Sequence, residues 1–139
     1  MKYLIFSLLI IVSLPSLAQK KKKPNWLRKE APEPETMFTL AGKKNGKKIM
    51  VADLSKAEKI NTIDKYFDGL EILGTEVIVK VKGAGEEKFS STNLMLPTDF
   101  KTRAASLVKG DRVIVFVKTR NKSTQVVSVM EKHSYWVGG

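Results

Sequence analysis

The sequence predicts a mainly β fold with two short helices, and three patterns lead there. Leu73, Thr75, Val77, Val79 and Val81 alternate with Gly74, Glu76, Ile78, Lys80 and Lys82, the period of a strand with one buried face. Val113-Ile114-Val115-Phe116-Val117 is an apolar run rich in β-branched residues, which suits a central strand covered on both faces. Two short stretches repeat at helical spacing instead: Ala57, Ile60, Ile63 and Phe67, then Phe100, Ala104, Leu107 and Val108.

The elements follow in order from Met37. Asn45-Gly46 suits a two-residue hairpin turn whose central residues both take positive φ. Folding about it pairs Leu40 with Val51 and Gly42 with Ile49 on one face, and Met37 with Leu54 and Ala41 with Met50 on the other. It also sets Lys43 opposite Lys48 and Lys44 opposite Lys47 at the tip. Like charges so placed oppose pairing. The tip is then either an anion-binding cluster or a lysine-rich guard against edge aggregation.

Ser55-Lys56-Ala57-Glu58 has the form of a capping box, so the first helix is expected to start at Ser55 and to stop at Gly69. The strand from Leu73 to Lys82 follows, then a turn at Gly83-Ala84-Gly85 and a further strand from Lys88 to Leu96. A second helix opens at Pro97 with Thr98 or Asp99 as its cap and ends at Lys109-Gly110-Asp111. A central strand from Arg112 to Lys118, a turn near Asn121-Lys122 and a last strand from Thr124 to Met130 complete the domain, which spans residues 37–139.

Upstream of Met37 the chain reads as an address and a tether. Met1-Lys2, the apolar run Tyr3 to Leu14, Pro15 and the small residues Ser16 and Ala18 form the pattern of a signal peptide, residues 1–18, cut after Ala18. The run is shorter than the roughly 20 residues a spanning helix needs. Lys20, Lys21, Lys22 and Lys23 lie directly behind the cut and favour the other reading, an uncleaved N-terminal anchor with the domain left inside. Export to the periplasm or beyond fits the length and the small-residue site better. Residues 19–36 form a basic, proline-containing linker, whose lysines are either a contact to an anionic membrane surface or a solvated charge run.

Cysteine is absent, which excludes disulfides, thiol catalysis and cysteine-ligated metals. The formal net charge is +11, and residues 36–139 alone carry 18 bases against 11 acids. The domain is therefore basic in its own right. That points to an anionic partner, or to charge that only keeps a small monomer soluble.

Two segments carry a resemblance. Lys65-Tyr66-Phe67-Asp68-Gly69 leads into Val77-Ile78-Val79-Lys80-Val81-Lys82-Gly83, and Leu107-Val108-Lys109-Gly110-Asp111-Arg112-Val113-Ile114-Val115 feeds a strand from a short helix through Lys-Gly-Asp. Over residues 65–131 the chain resembles the exported bacterial OB-fold-like domains called tRNA-anti-like. That resemblance implies a small OB-like, partly open barrel with a helix between its third and fourth strands. The stretch from Gly83 to Pro97 is too short for two good strands, so an α+β sheet with two helices on one face is the alternative.

No catalytic constellation stands out. His133 is the only histidine and reads as an exposed surface residue. Ser134 beside it would point to the opposite face of a strand, which does not make a nucleophile–base pair. Asp64, Asp68 and Glu71 sit among lysines and read as surface ion pairs. No enzyme activity, metal or cofactor is expected.

Binding is the expected role. Tracking a polyanion or a single nucleic-acid strand needs bases along a groove and aromatic faces for stacking. Lys80, Lys82, Arg112, Lys118 and Arg120, with Lys88 nearby, supply the charge, and Phe89 is the candidate aromatic. Lys43, Lys44, Lys47 and Lys48 add the hairpin tip. Phe100 and Phe116 are assigned to the core, and Tyr135-Trp136 to covering the barrel. The expected function is an exported, non-enzymatic binding or adaptor domain that contacts an envelope protein or anionic polymer through a basic, barrel-like surface. An OB-type single-stranded nucleic-acid-binding protein is the alternative, and it comes forward if the chain is not exported.

Overall fold

A computed structural model describes residues 33–139. The expected signal peptide, Lys20 to Lys23 and the linker as far as residue 32 lie outside the described residues. In chain order the elements are β1 (Phe38–Leu40), β2 (Lys48–Met50), α1 (Val51–Lys56), β3 (Ile60–Thr62), α2 (Asp64–Phe67), β4 (Leu70–Val81), β5 (Gly85–Ser91), α3 (Thr98–Ala104), β6 (Arg112–Asn121), β7 (Val127–Val129) and β8 (His133–Gly138).

The domain is mainly β, as its sequence predicts. The main sheet runs β2-β8-β6-β4-β5, with β7 beside the far half of β6, and β1 and β3 form a separate pair. All pairings are antiparallel except β2 with β8. The sheet ends in β2 on one side and β5 on the other and does not close.

Strict alternation along β4 turns Thr75, Val77 and Val79 inward, where they meet Val117, Val115 and Val113 of β6. Ile49, Tyr135 and Val137 extend this inner face through β2 and β8. Phe38, Leu40, Leu54, Ile60, Phe100, Ala104 and Leu107 cover it. Each fully buried large aliphatic or aromatic side chain of this kind contributes about 1.5–3 kcal/mol. The core therefore lies on one side of the sheet, and among the described residues no element packs on the other side.

Three helices are present where two were expected. The helix expected from Ser55 to Gly69 is broken by β3. Ile60-Asn61-Thr62 pairs with β1, the Ile60 N–H donates to the Leu94 carbonyl at 2.9 Å, and the Leu96 N–H donates to the Glu58 carbonyl at 2.9 Å. These long-range backbone bonds override a helical period only four apolar residues long. Ser55 is no cap: it lies inside α1, its hydroxyl donates to the Ala52 carbonyl at 3.0 Å, and Glu58 is paired with Lys101. The cap expected at Thr98 or Asp99 does not form either, since Pro97 holds that place with no side-chain hydrogen bond. Val108 is 61% exposed, off the buried face assigned to it, because α3 stops at Ala104.

The Asn45-Gly46 hairpin is also corrected. Asn45-Gly46 does form a turn, with positive φ at Gly46 but not at Asn45, and no hairpin grows from it; positive φ at both central residues falls on Ala41 and Gly42 instead. Leu40 and Lys43 exchange both backbone hydrogen bonds across them, at 3.2 and 2.9 Å. Leu40 consequently pairs with Ile60, not Val51. Asn45 is buried for its side chain, which accepts from the Ser134 N–H at 2.9 Å and donates to the Glu35 carbonyl at 3.1 Å.

β5 stops at Ser91, short of the expected Leu96. Ser91 Oγ lies 2.8 Å from the Asn93 carbonyl and 2.7 Å from that of Met95, while Asn93 Oδ1 accepts the Met95 N–H at 2.8 Å. These local side-chain bonds replace the ladder. β7 is likewise shorter than the strand expected from Thr124 to Met130. β8 was not expected, and it lies in the interior of the sheet between β2 and β6.

Candidate binding face

Strand registers define what the free face of the sheet displays, because directly paired residues share a face. One transverse row runs Lys48 (β2), Trp136 (β8), Arg112 (β6), Lys80 (β4), Glu86 (β5). The next holds Ser134, Ile114, Ile78 and Lys88, with Ile114 buried beneath its neighbours. Then come Phe116, Glu76 and Ser90, followed by Val129, Lys118 and Gly74, and last Val127, Arg120 and Glu71. Five strands at about 4.8 Å spacing make the first row about 19 Å long.

The first row is the most strongly basic. Trp136 is 48% exposed, and the Arg112 guanidinium lies over its ring, 4.7 Å from the centroid. This is cation–π geometry. Arg112 Nη2 donates to Ser134 Oγ at 3.3 Å, and its Nε is buried without an acceptor among the described residues. No acid pairs with Arg112 or Lys48 among the described residues, whereas Lys80 is held by Glu86 at 3.2 Å.

The predicted site residues divide. Lys48, Lys80, Arg112, Lys118 and Arg120 share this face, with Arg120 paired to Glu71 at 3.5 Å. Lys82 follows the end of β4 and is exposed. Lys43, Lys44 and Lys47 are exposed in the loop before β2, where Lys47 meets Glu33 at 3.6 Å. Of the expected opposed pairs, Lys44 and Lys47 do flank the Asn45-Gly46 turn, joined through their backbones at 3.2 Å, but Lys43 and Lys48 part: Lys43 bridges to Leu40 and Lys48 pairs with Trp136.

Three aromatic assignments are reversed. Phe89 points inward, packing edge-on against Phe100 with ring centroids 5.8 Å apart, so it offers no face to a ligand. Phe116 lies on the free face beside Glu76, not in the core. Trp136 does not cover the core; it is the one aromatic of the first row and is half exposed. The alternation His133, Tyr135, Val137 inward and Ser134, Trp136 outward was the available signal.

A groove of about 340 Å³ crosses the same face near the bulge in β4, lined by Leu73, Gly74, Glu76, Phe116, Lys118 and Val129 among others.

His133 is corrected as well: it is fully buried. Its Nε2 accepts the Met37 N–H at 2.9 Å, and its Nδ1 lies 3.0 Å from the Glu131 carbonyl. Burial lowers its pKa, opposed by the Glu131 and Lys132 backbone and the Glu131 charge. With both ring nitrogens occupied, the imidazole serves the fold.

No protein-family model matches the chain, and no curated protein matches it.

Proposed function

We propose that this chain is an exported, non-enzymatic binding or adaptor domain that uses the free face of its open sheet to hold an anionic polymer or an acidic envelope protein. The observation that carries this reading is the row Lys48–Trp136–Arg112–Lys80. It sets two cations without acidic partners among the described residues on either side of an exposed indole. An acidic group can sit on Arg112 or Lys48 while a flat sugar or side chain lies on Trp136. OB-like domains take oligosaccharides and oligonucleotides on an exposed strand face, so the resemblance over residues 65–131 supports the same use of the sheet.

The test is titration with dextran sulfate, polyglutamate and neutral dextran at several salt concentrations. The acidic polymers should bind, with affinity falling steeply as salt rises, and neutral dextran should not. Replacing Lys48, Arg112 and Lys80 by glutamine should remove the binding. Replacing Lys43, Lys44 and Lys47 should leave most of it. Equal binding by all three proteins would defeat the assignment.

Single-stranded nucleic acid is the second reading, favoured by Trp136 and Phe116 standing on one face with Arg112 and Lys118. Stacking predicts that Trp136→Ala weakens binding to oligothymidylate by about 1–3 kcal/mol. Cell fractionation with intact mass decides which ligand the protein meets. A mass beginning at Gln19 outside the cytoplasm supports the polymer or envelope protein, and a full-length cytoplasmic product supports nucleic acid.

A further inference from the structure

The groove beside Gly74 differs in kind from the cationic row. Leu73, Phe116 and Val129 give it apolar walls. β4 bulges between Ile72 and Gly74, which opens the surface locally. Gly74 leaves the space unfilled, and it has to: a Cβ there would run into the Ser91 carbonyl oxygen.

Charge decides what belongs in it. Glu76 is neutralised by Lys88 at 3.2 Å. Lys118 is exposed and has no acidic partner among the described residues. The uncompensated charge at the groove is therefore positive. At about 340 Å³ the space lies at the small end of ligand-sized pockets. It is open to solvent, so an occupant can enter as part of a longer chain. Val127 and Val129, half exposed on the same face, continue the apolar wall to the sheet edge, where a partner would cover them.

We propose that this groove seats one large apolar side chain from an acidic segment of a partner protein, with the neighbouring carboxylate on Lys118. The proposal rests on the binding-domain reading and names the partner class for this part of the face.

The test is an amide-shift titration of the 15N-labelled protein with the capped peptide acetyl-Gly-Phe-Asp-Gly-amide. Shifts should centre on Gly74, Phe116, Lys118 and Val129. The Asn analogue should bind about threefold to fivefold more weakly, the most an exposed ion pair supplies, and the Ala-Asp analogue should not bind measurably. Lys118→Gln should make the Asp and Asn peptides equal, and Val129→Lys should block both, each variant keeping a dispersed spectrum. No shifts at millimolar peptide, or equal binding of the Asp and Asn peptides to the wild type, overturns the proposal. 3-Phenylpropionate binding as well as the peptide would mark a small-molecule site and overturn the protein partner. Arg112→Gln separates the two readings: it should weaken dextran sulfate binding and leave the peptide shifts intact. Loss of both would place the peptide on the cationic row and defeat the groove. Peptide binding without dextran sulfate binding would sink the polymer reading alone.

Discussion

The imidazole of His133 lies flat on the ring of Phe38, with centroids 3.8 Å apart and planes 13° from parallel. The contact joins β8 of the main sheet to β1 of the small one, and the ring's nitrogens tie it further. Facing the Glu131 carbonyl, Nδ1 must carry the proton, so Nε2 is free to accept from Met37. One neutral tautomer satisfies every partner. A protonated ring would set an N–H against the Met37 N–H.

Stability should therefore depend on pH through His133. Its folded pKa is lowered from 6.5 by burial, so the unfolded chain takes up this proton first as pH falls. The histidine's full contribution is present above pH 6.5, is lost progressively below it, and levels off below the folded pKa. Urea midpoints measured from pH 8 to pH 4.5 should show this fall, and His133→Gln should flatten that part of the profile. A wild-type midpoint independent of pH across the window would contradict a buried neutral ring.

The strands that were legible in the sequence are those whose signal is local. β4 and β6 announce themselves through alternation and a β-branched run, and the Gly83-Ala84-Gly85 turn joins β4 to β5 as read. β8 was missed because His-Ser-Tyr-Trp opens on polar residues and its place depends on a parallel partner, β2, far away in sequence. The binding face was half legible for the same reason. Arg112, Lys80 and Lys118 were candidates by charge. That Lys48 and Arg112 flank Trp136 follows only from the strand order, since the three residues come from three different strands. Phe89 and Phe116 exchanged roles because each lies in a stretch whose inward parity cannot be fixed until its register is known.

Asp111 should be the most costly acid to remove. Only 1% exposed, it accepts the Lys82 N–H at 3.0 Å with one carboxylate oxygen and the Val108 N–H at 2.9 Å with the other. It thereby clamps the end of β4 to the loop that feeds β6. Asp111→Ala leaves two donors without acceptors and should cost about 3 kcal/mol in chemical denaturation. Asp111→Asn retains one good acceptor and should cost less. An alanine variant as stable as the wild type would show that neither bond matters to the fold.

Gly74 should not tolerate alanine. The methyl group would meet the Ser91 carbonyl oxygen, and neither strand backbone can move aside without disturbing the β4–β5 ladder. Overpacking of this kind costs about 1–3 kcal/mol. Thermal melting should register the loss, and the groove should narrow, so Gly74→Ala should also bind the Phe-Asp peptide more weakly. Unchanged melting would mean that β5 shifts freely at Ser91.

Tyr135 makes the opposite prediction, a substitution that helps. Its side chain fills the core between β8 and the covering elements, but its hydroxyl is buried with no hydrogen-bond partner among the described residues. Burial raises the phenol's pKa above its ordinary 10.0, and the nearby Leu40 backbone offsets only part of that rise. Tyr135→Phe keeps the ring and removes the unpaired group, so it should be neutral or stabilising by about 1–2 kcal/mol at pH 7. The raised pKa fixes the alkaline behaviour too. The neutral phenol's contribution is intact below pH 10.0 and is lost as pH rises past it, because the unfolded chain ionises first. Tyr135→Phe should accordingly lose less stability than the wild type between pH 9 and pH 11. Destabilisation at pH 7 would instead reveal a partner for the hydroxyl, such as a buried water held against Leu40.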